Sequence, residues 1–336
     1  MSVAWATAFS LDDLRLDPAA EADRIAAAIR QQVQQLRRKG VVLGLSGGID
    51  SSVTAALCVR ALGPQRVFGL FMPEHDCSPE SLTLGRLAAD RLGIEAIVED
   101  VGDTLAAAGC YRRRDEALRS VFPAYTPDCK WKIVLPSLFE GAGYRLFSVV
   151  VQTPDGGLHR RRLPLEAYQQ IVAATNFKQR VRKMMEYYHA DRLRYAVAGT
   201  PNRLEYGLGF FVKNGDGAAD LKPIAHLYKT QVYQLAAWLG VPAEICRRPP
   251  TTDTYSLEQT QEEFFFALPY DRMDACLYAN DHGITAAEAA AATGLTADQV
   301  ERVYRDIAAK RAAAEYLHMP PLTPAPTDAE PASAAT

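Results

Sequence analysis

From Asp17 to Arg38, apolar residues recur at helical spacing. Ile25, Ile29, Val33 and Leu36 share one stripe, which predicts an amphipathic helix closed by Gly40. Val41–Leu45 is then continuously apolar, as a strand buried on both faces should be. Ser51–Leu62 reads as a second helix, ended by Gly63-Pro64, and Val67–Met72 as a second strand. A helix over Pro79–Leu92 stops at Gly93, and IEAIVED supplies a third strand. Strand and helix alternate with no hairpin signal between them. That rhythm predicts an α/β fold built on a doubly wound parallel sheet flanked by helices.

Between Cys110 and Ala173 the rhythm breaks. YRLFSVVVQTPDGGLHRRRLPL reads as two strands around an Asp-Gly-Gly turn, an antiparallel hairpin within an insert over residues 111–172. Alternation returns with the helix NFKQRVRKMMEYYHADRL, the strand RYAVAGT and a helix over Lys229–Leu239. Two helices joined at Gly294-Leu295 are expected over residues 284–317. Residues 1–320 thus read as one domain, and the Pro/Ala/Thr-rich stretch 321–336 as a disordered tail.

Composition narrows the class. The 336 residues are 48% hydrophobic and 23% charged, enough apolar material for a large core. A net charge of −3 leaves no basic excess to neutralise a nucleic-acid backbone, so nucleic acid is not an expected partner. Arg112-Arg113-Arg114 and Arg160-Arg161-Arg162 leave room for a local anionic contact, although most such runs are solvated faces. Six scattered cysteines form no CxxC pair, which excludes a zinc knuckle and a redox dithiol. The N-terminus lacks a signal-peptide core and no apolar run reaches membrane length, so a cytoplasmic protein without a membrane partner is expected.

Candidate chemistry centres on VVLGLSGGIDSSV, residues 41–53. A strand that ends in Ser-Gly-Gly and leads into a helix lets backbone N–H groups approach an anion, helped by the helix dipole. Ser46, Ser51 and Ser52 add hydroxyl donors. Asp50 would repel a bare phosphate, so it implies an intervening cation, most simply Mg²⁺. The loop has neither GxxxxGK[ST] nor GxGxxG, which excludes a Walker A loop and disfavours a hydride-transfer cofactor. A Gly-Gly turn that merely tightens a strand–helix junction is the plainer alternative.

SGGIDSS resembles the pyrophosphate loop of the ATP-pyrophosphatase superfamily, whose members cleave ATP to AMP and pyrophosphate to activate a carbonyl oxygen. Four further strings, NFKQRVR, AGTPNRLEYGLGFFVKNGDGAADLKPI, LYKTQVYQLAAWLGVP and PPTTD, resemble the NAD synthetases within it, specifically the ammonia-dependent type without a glutaminase domain. The resemblance implies an adenine-nucleotide-hydrolase-like, Rossmann-like fold and a homodimer. It implies ATP contacts at Gly44, Ser46, Gly47, Gly48, Asp50, Ser51, Ser52, Thr200, Lys229 and Thr251, with Asp50 and Glu205 holding Mg²⁺. It places Arg180, Phe211, Lys213 and Asp220 against the dinucleotide substrate.

Physical readings stand beside these roles. Thr200 lies at a strand carboxyl end, the usual ligand edge, whereas Glu205 could also be a surface acid on a helix. Phe210 and Phe211 could flank a flat ring, or one could be core. Arg180 and Arg182 cannot face one direction on a helix, and Arg180 is preferred. Lys229 opens a helix against the dipole, a cost that a bound polyphosphate would reverse.

The implied reaction is ATP-dependent amidation of deamido-NAD through an acyl-adenylate, with AMP and pyrophosphate released. Ammonia arrives free or from a separate glutaminase. Asp50 and Lys229 carry the catalytic weight, with no side-chain nucleophile. Three departures are visible: the insert, Gln261 where relatives have an acid, and Leu317-His318 where relatives have a basic pair. All three are read as altering the acceptor half, which keeps open an AMP-forming amide ligase acting on another carboxylate.

Overall fold

The computed structural model describes residues 9–135, 138–139, 147–251, 254–266 and 268–324. Among the described residues, seven strands run in chain order: β1 Val41–Gly44, β2 Val67–Phe71, β3 Glu95–Val98, β4 Lys130–Val134, β5 Ser148–Gln152, β6 Leu158–Arg162 and β7 Ala196–Val197. The helices are α1 Pro18–Gln35, α2 Ile49–Leu62, α3 Pro79–Leu92, α4 Gly102–Ala107, α5 Cys110–Val121 and α6 Leu165–Leu193. Then follow α7 Arg203–Leu208, α8 Lys229–Leu239, α9 Ala243–Arg247, α10 Tyr270–Asp281, α11 Ala286–Thr293 and α12 Ala297–His318.

The main sheet is parallel with order β3-β2-β1-β7. Alternate residues of β1 serve opposite layers: Val41 and Leu43 join the core of α1, α2, α3 and α8, while Val42 packs with Ala190 of α6. Both faces are covered, so the strand reads as an unbroken apolar run. Strand order reverses between β1 and β7, which opens a crevice outside their carboxyl ends.

The insert is more than a hairpin. β4, β5 and β6 form a three-stranded antiparallel sheet. Its inner face, with Trp131, Ile133, Val149 and Val151, packs on α5 and on Ile171 of α6. The later helix begins at Leu165, eleven residues before the Asn176 expected from sequence. Tyr144–Leu146, the start of the expected first hairpin strand, lies outside the described residues. A separate C-terminal core gathers α7, α10, α11 and α12 around Phe266, Met273 and Ile307. α11 and α12 match the two helices expected over residues 284–317, and α10 is an additional helix before them. Of the expected tail, residues 321–324 are exposed and irregular, and the remainder lies outside the described residues. Among the described residues no disulfide joins any of the six cysteines. Among the described residues no helix is long and apolar enough to cross a membrane.

Candidate active site

The phosphate-type loop lies at the carboxyl end of β1. Gly47 has φ 74°, and a Cβ there would stand 2.4 Å from the Ser81 carbonyl oxygen, so only glycine lets α3 approach. Gly48 caps α2 without a side-chain acceptor, leaving the first-turn N–H groups available to an anion. Ser46 Oγ lies 3.2 Å from Ser51 Oγ, and Ser51 donates to the Gly48 carbonyl at 3.0 Å. Gly44, Ser46, Gly48, Asp50 and Ser51 line a cavity of about 770 Å³ together with Thr200, Glu205 and Thr251. Gly47 and Ser52 do not line it: Ser52 turns inward and donates to the Gly48 carbonyl at 2.9 Å.

Asp50 meets a compact polar cluster. The Lys229 ammonium, fully buried, pairs with Asp50 Oδ2, and Asn202 Nδ2 donates to Oδ1 at 3.1 Å. Lys229 lies behind Asp50 and does not line the cavity itself. Its awkward place at a helix start is resolved internally, without a bound polyphosphate. Asp274 accepts the Lys229 N–H at 3.2 Å and the Thr230 N–H at 2.7 Å, supplying the negative charge that the dipole favours. Burial works against the Lys229 charge, but Asp50 and Glu205 outweigh it and raise its pKa above the ordinary value.

Glu205 is the third residue of the α7 capping box. Its Oε2 accepts the Asn202 N–H at 3.1 Å, and Asn202 Oδ1 accepts the Glu205 N–H at 3.1 Å. Burial, then the nearby Asp50 charge, pushes its pKa up to about 7. Two carboxylates that resist sharing one site fit a cation between them. Among the described residues no cluster of three or more Asp, Glu, His or Cys gathers at one point. A cation here would therefore rely on Asp50, Glu205 and oxygens of the ligand, a hard donor set suited to Mg²⁺. Gln261 belongs to this cluster: its Nε2 donates to Glu205 Oε1 at 3.0 Å. Gln261, which the sequence assigns to the acceptor half, thus bonds directly to the carboxylate pair.

A second wall is a polar stripe of α6. Thr175, Gln179, Arg182, Lys183 and Glu186, at helical spacing, all face the cavity. Arg180 is two positions from Arg182, points to the exposed side and donates to the Lys213 carbonyl at 3.3 Å. Of the two, Arg182 lines the cavity, as does Arg248 from beyond α9, whereas Arg180, the residue preferred from sequence, does not. Behind the stripe sits a buried ion network that sequence reading missed. Lys178 Nζ, fully buried, donates to Glu74 Oε1 at 3.0 Å, Asp76 Oδ2 at 2.6 Å and the Thr254 carbonyl at 2.7 Å. Arg114 joins Asp76 at 2.5 Å. Burial alone would raise the Glu74 pKa, but Lys178 and Arg182 outweigh it and hold it low.

The remaining acceptor candidates separate. Phe211 lines the main cavity and stacks on Tyr206 at 5.5 Å, its ring lying where a Cβ on Gly217 would stand 2.1 Å away. Phe210 packs against Phe265 and Phe266. Lys213 instead lines a smaller neighbouring cavity and donates to the Tyr316 and Met319 carbonyls at the end of α12, at 2.7 and 3.0 Å. Asp220 is exposed and accepts the Val197 N–H of β7 at 2.7 Å, a scaffold contact outside the cavity. Asp216, four residues earlier, does line the cavity, and burial raises its pKa. Leu135 and Phe147 from the insert line it too, Phe147 stacking on Tyr168 at 4.3 Å. His318 meets Tyr206 and Phe211 edge-on, at 4.6 and 5.1 Å.

A model of the NAD synthase family matches residues 21–119 and 160–313. The chain is 63% identical over 313 residues to an NH(3)-dependent NAD(+) synthetase of Rhizobium meliloti, covering 93% of this chain and 94% of that protein. It is 32% identical over 282 residues to one of Methanocaldococcus jannaschii, covering 84% and 89%. Its fold is similar to that of the NMN synthetase from Francisella tularensis, with TM-score 0.64, 22% identity and coverage of 93% and 100%. The NH3-dependent NAD synthetase from Campylobacter jejuni gives TM-score 0.59, 21% identity and coverage of 92% and 100%. The chain belongs to the NAD synthase family.

Proposed function

We propose that this enzyme, an NAD synthase-type ligase, amidates deamido-NAD to NAD, using ATP as co-substrate and ammonia as nitrogen donor. The observation that carries the reading is the meeting, in one cavity, of a loop with free helix N–H groups and the Asp50–Glu205 pair backed by Lys229. A nicotinate carboxylate oxygen attacks the α-phosphorus of ATP, and the bond to pyrophosphate breaks. Ammonia nitrogen then bonds to the acyl carbon, AMP leaves with the C–O electron pair, and the nitrogen loses a proton to give the neutral amide.

The loop N–H groups and the Ser46 and Ser51 hydroxyls would bind the departing pyrophosphate, as preorganised donors. Thr200 and Thr251 line the same wall and can donate to ATP. Lys229 acts through Asp50, fixing its carboxylate rather than touching phosphate. Mg²⁺ held by Asp50 and Glu205 would neutralise polyphosphate charge. Arg182, Asp216 and Phe211 are the acceptor-side groups this geometry favours; Arg180, Lys213 and Asp220 are not. The homodimer has one support here: Met184 and Tyr188, one helical turn apart on α6, are 53% and 60% exposed, an apolar strip a second copy could cover.

The test is to incubate the protein with ATP, Mg²⁺, an ammonium salt and deamido-NAD and to measure NAD and AMP together. Equal yields of the two are expected, and Asp50→Asn should lower both by about 10²- to 10³-fold. AMP formed only with another carboxylate would exclude deamido-NAD as the acceptor.

A further inference from the structure

Gln261 stands where two separate parts of the fold meet on the carboxylate pair. Besides its bond to Glu205, its Oε1 accepts from Tyr270 Oη at 2.6 Å. Tyr270 is buried, and burial pushes its phenol far above the ordinary range, so it remains a donor. An amide whose oxygen is taken by an O–H must present its NH₂ to its other neighbour. Turning Gln261 over would set its oxygen against the Glu205 carboxylate. Glu205 Oε2 is meanwhile occupied by the Asn202 N–H, so each carboxylate oxygen has its own fixed donor.

The segment that carries Gln261 is itself held from a distance. Trp131 N donates to Ser256 Oγ at 3.0 Å, Leu257 N to the Trp131 carbonyl at 3.0 Å, and Lys132 Nζ to the Glu258 carbonyl at 3.3 Å. Gln259 Nε2 donates to the Ile133 carbonyl. Gln261 N donates to the Pro250 carbonyl at 3.0 Å, beside the Thr251–Thr260 bridge. The clasping strand is β4, which lies within residues 120–159, between the two segments that the family model matches.

We propose that Gln261 is a positioning residue for the cation site, fixing the orientation of the Glu205 carboxylate, and that the inserted sheet serves the reaction by holding Gln261 there through β4. This rests on the Asp50–Glu205 cation reading above. The test titrates Mg²⁺ against thermal unfolding with a non-hydrolysable ATP analogue and no acceptor, so that turnover plays no part. Gln261→Leu should raise the half-saturating Mg²⁺ concentration about tenfold, the scale of one hydrogen bond to a charged group. Its ligand-free Tm should stay within about 2 °C of wild type. Tyr270→Phe keeps the ring under Lys229 and should shift half-saturation in the same direction by less; it alone decides if Gln261→Leu does not fold. An unchanged Mg²⁺ midpoint in these variants, with or without a lower ligand-free Tm, overturns the proposal when Glu205→Gln does shift it. If Glu205→Gln leaves the midpoint unchanged as well, the cation reading itself falls, and this inference with it.

Discussion

The two walls of the cavity are assembled differently. On the phosphate-loop wall, the bonds that shape the turn join residues two to five apart: Gly48 to Ser46, Ser51 to Gly48, Ser52 to Gly48, Ser46 to Ser51. On the α6 wall, Lys178 reaches partners 104, 102 and 76 residues away. The turn on the first wall is built from backbone conformation and small hydroxyls. The second depends on buried charges that only the finished fold can satisfy. A local turn forms with little loop-closure cost, whereas the ion network must wait for four segments to meet.

The largest expected effect tests whether that network holds the far wall. Lys178→Met should lower stability by about 3–5 kcal/mol, because the buried Glu74 and Asp76 would lose the ammonium they share. Urea unfolding measures it directly. A loss under about 1 kcal/mol would mean that Arg114 and Arg182 suffice for both acids, and the contrast between the walls would weaken.

The same contrast explains what the sequence made legible. SGGIDSS carries its conformation in adjacent residues, so the strand, turn and helix fall where the pattern puts them. The alternation of KWKIV, with Trp131 and Ile133 inward, is legible at period two, but it is short and has no turn signal as strong as the Asp-Gly-Gly of the neighbouring hairpin. Asn202 and Glu205 form an Asn-x-x-Glu capping box, a signal present in the string PNRLE, although nothing in that string shows that Asp50 lies across from it. Lys178 and Asp274 carried no local signal, and Gln261 stood out only against the family loop it resembles. Their partners are set by tertiary contacts, and a buried lysine looks in sequence like any helix-surface lysine.

A smaller effect separates the two carboxylates that join the walls' chemistry. The ordinary glutamate value is 4.5 and folded Glu205 titrates at about 7, so between these pH values the folded state keeps a proton that the unfolded chain has lost. Unfolding then releases that proton, and the Glu205 contribution to ligand-free stability falls as pH rises from about 4.5 through 7. Glu205→Gln has no such titration. Relative to wild type it should gain about 1–3 kcal/mol between pH 5 and pH 8, read from urea midpoints at the two pH values. A difference that does not change with pH would place the ionisation of Glu205 in the ordinary range and remove the electrostatic case for a cation there.

The smallest effect sharpens the far wall to a single side chain. Arg182 shares the cavity-facing stripe with Gln179 and Glu186, and it also donates to the Met72 carbonyl at 3.2 Å and to Cys77 Sγ at 3.1 Å. Arg180, two residues earlier, lies on the opposite side of the same helix. Arg182→Ala should raise the KM for deamido-NAD about tenfold with a smaller change in the KM for ATP, as expected when one charge-assisted contact is lost. Arg180→Ala should leave both within about twofold, the usual outcome for an exposed charge. Steady-state kinetics on the two variants decides between them. If Arg180→Ala proves the costlier, the acceptor must reach around α6 to its exposed face, and the cavity described here would hold ATP alone.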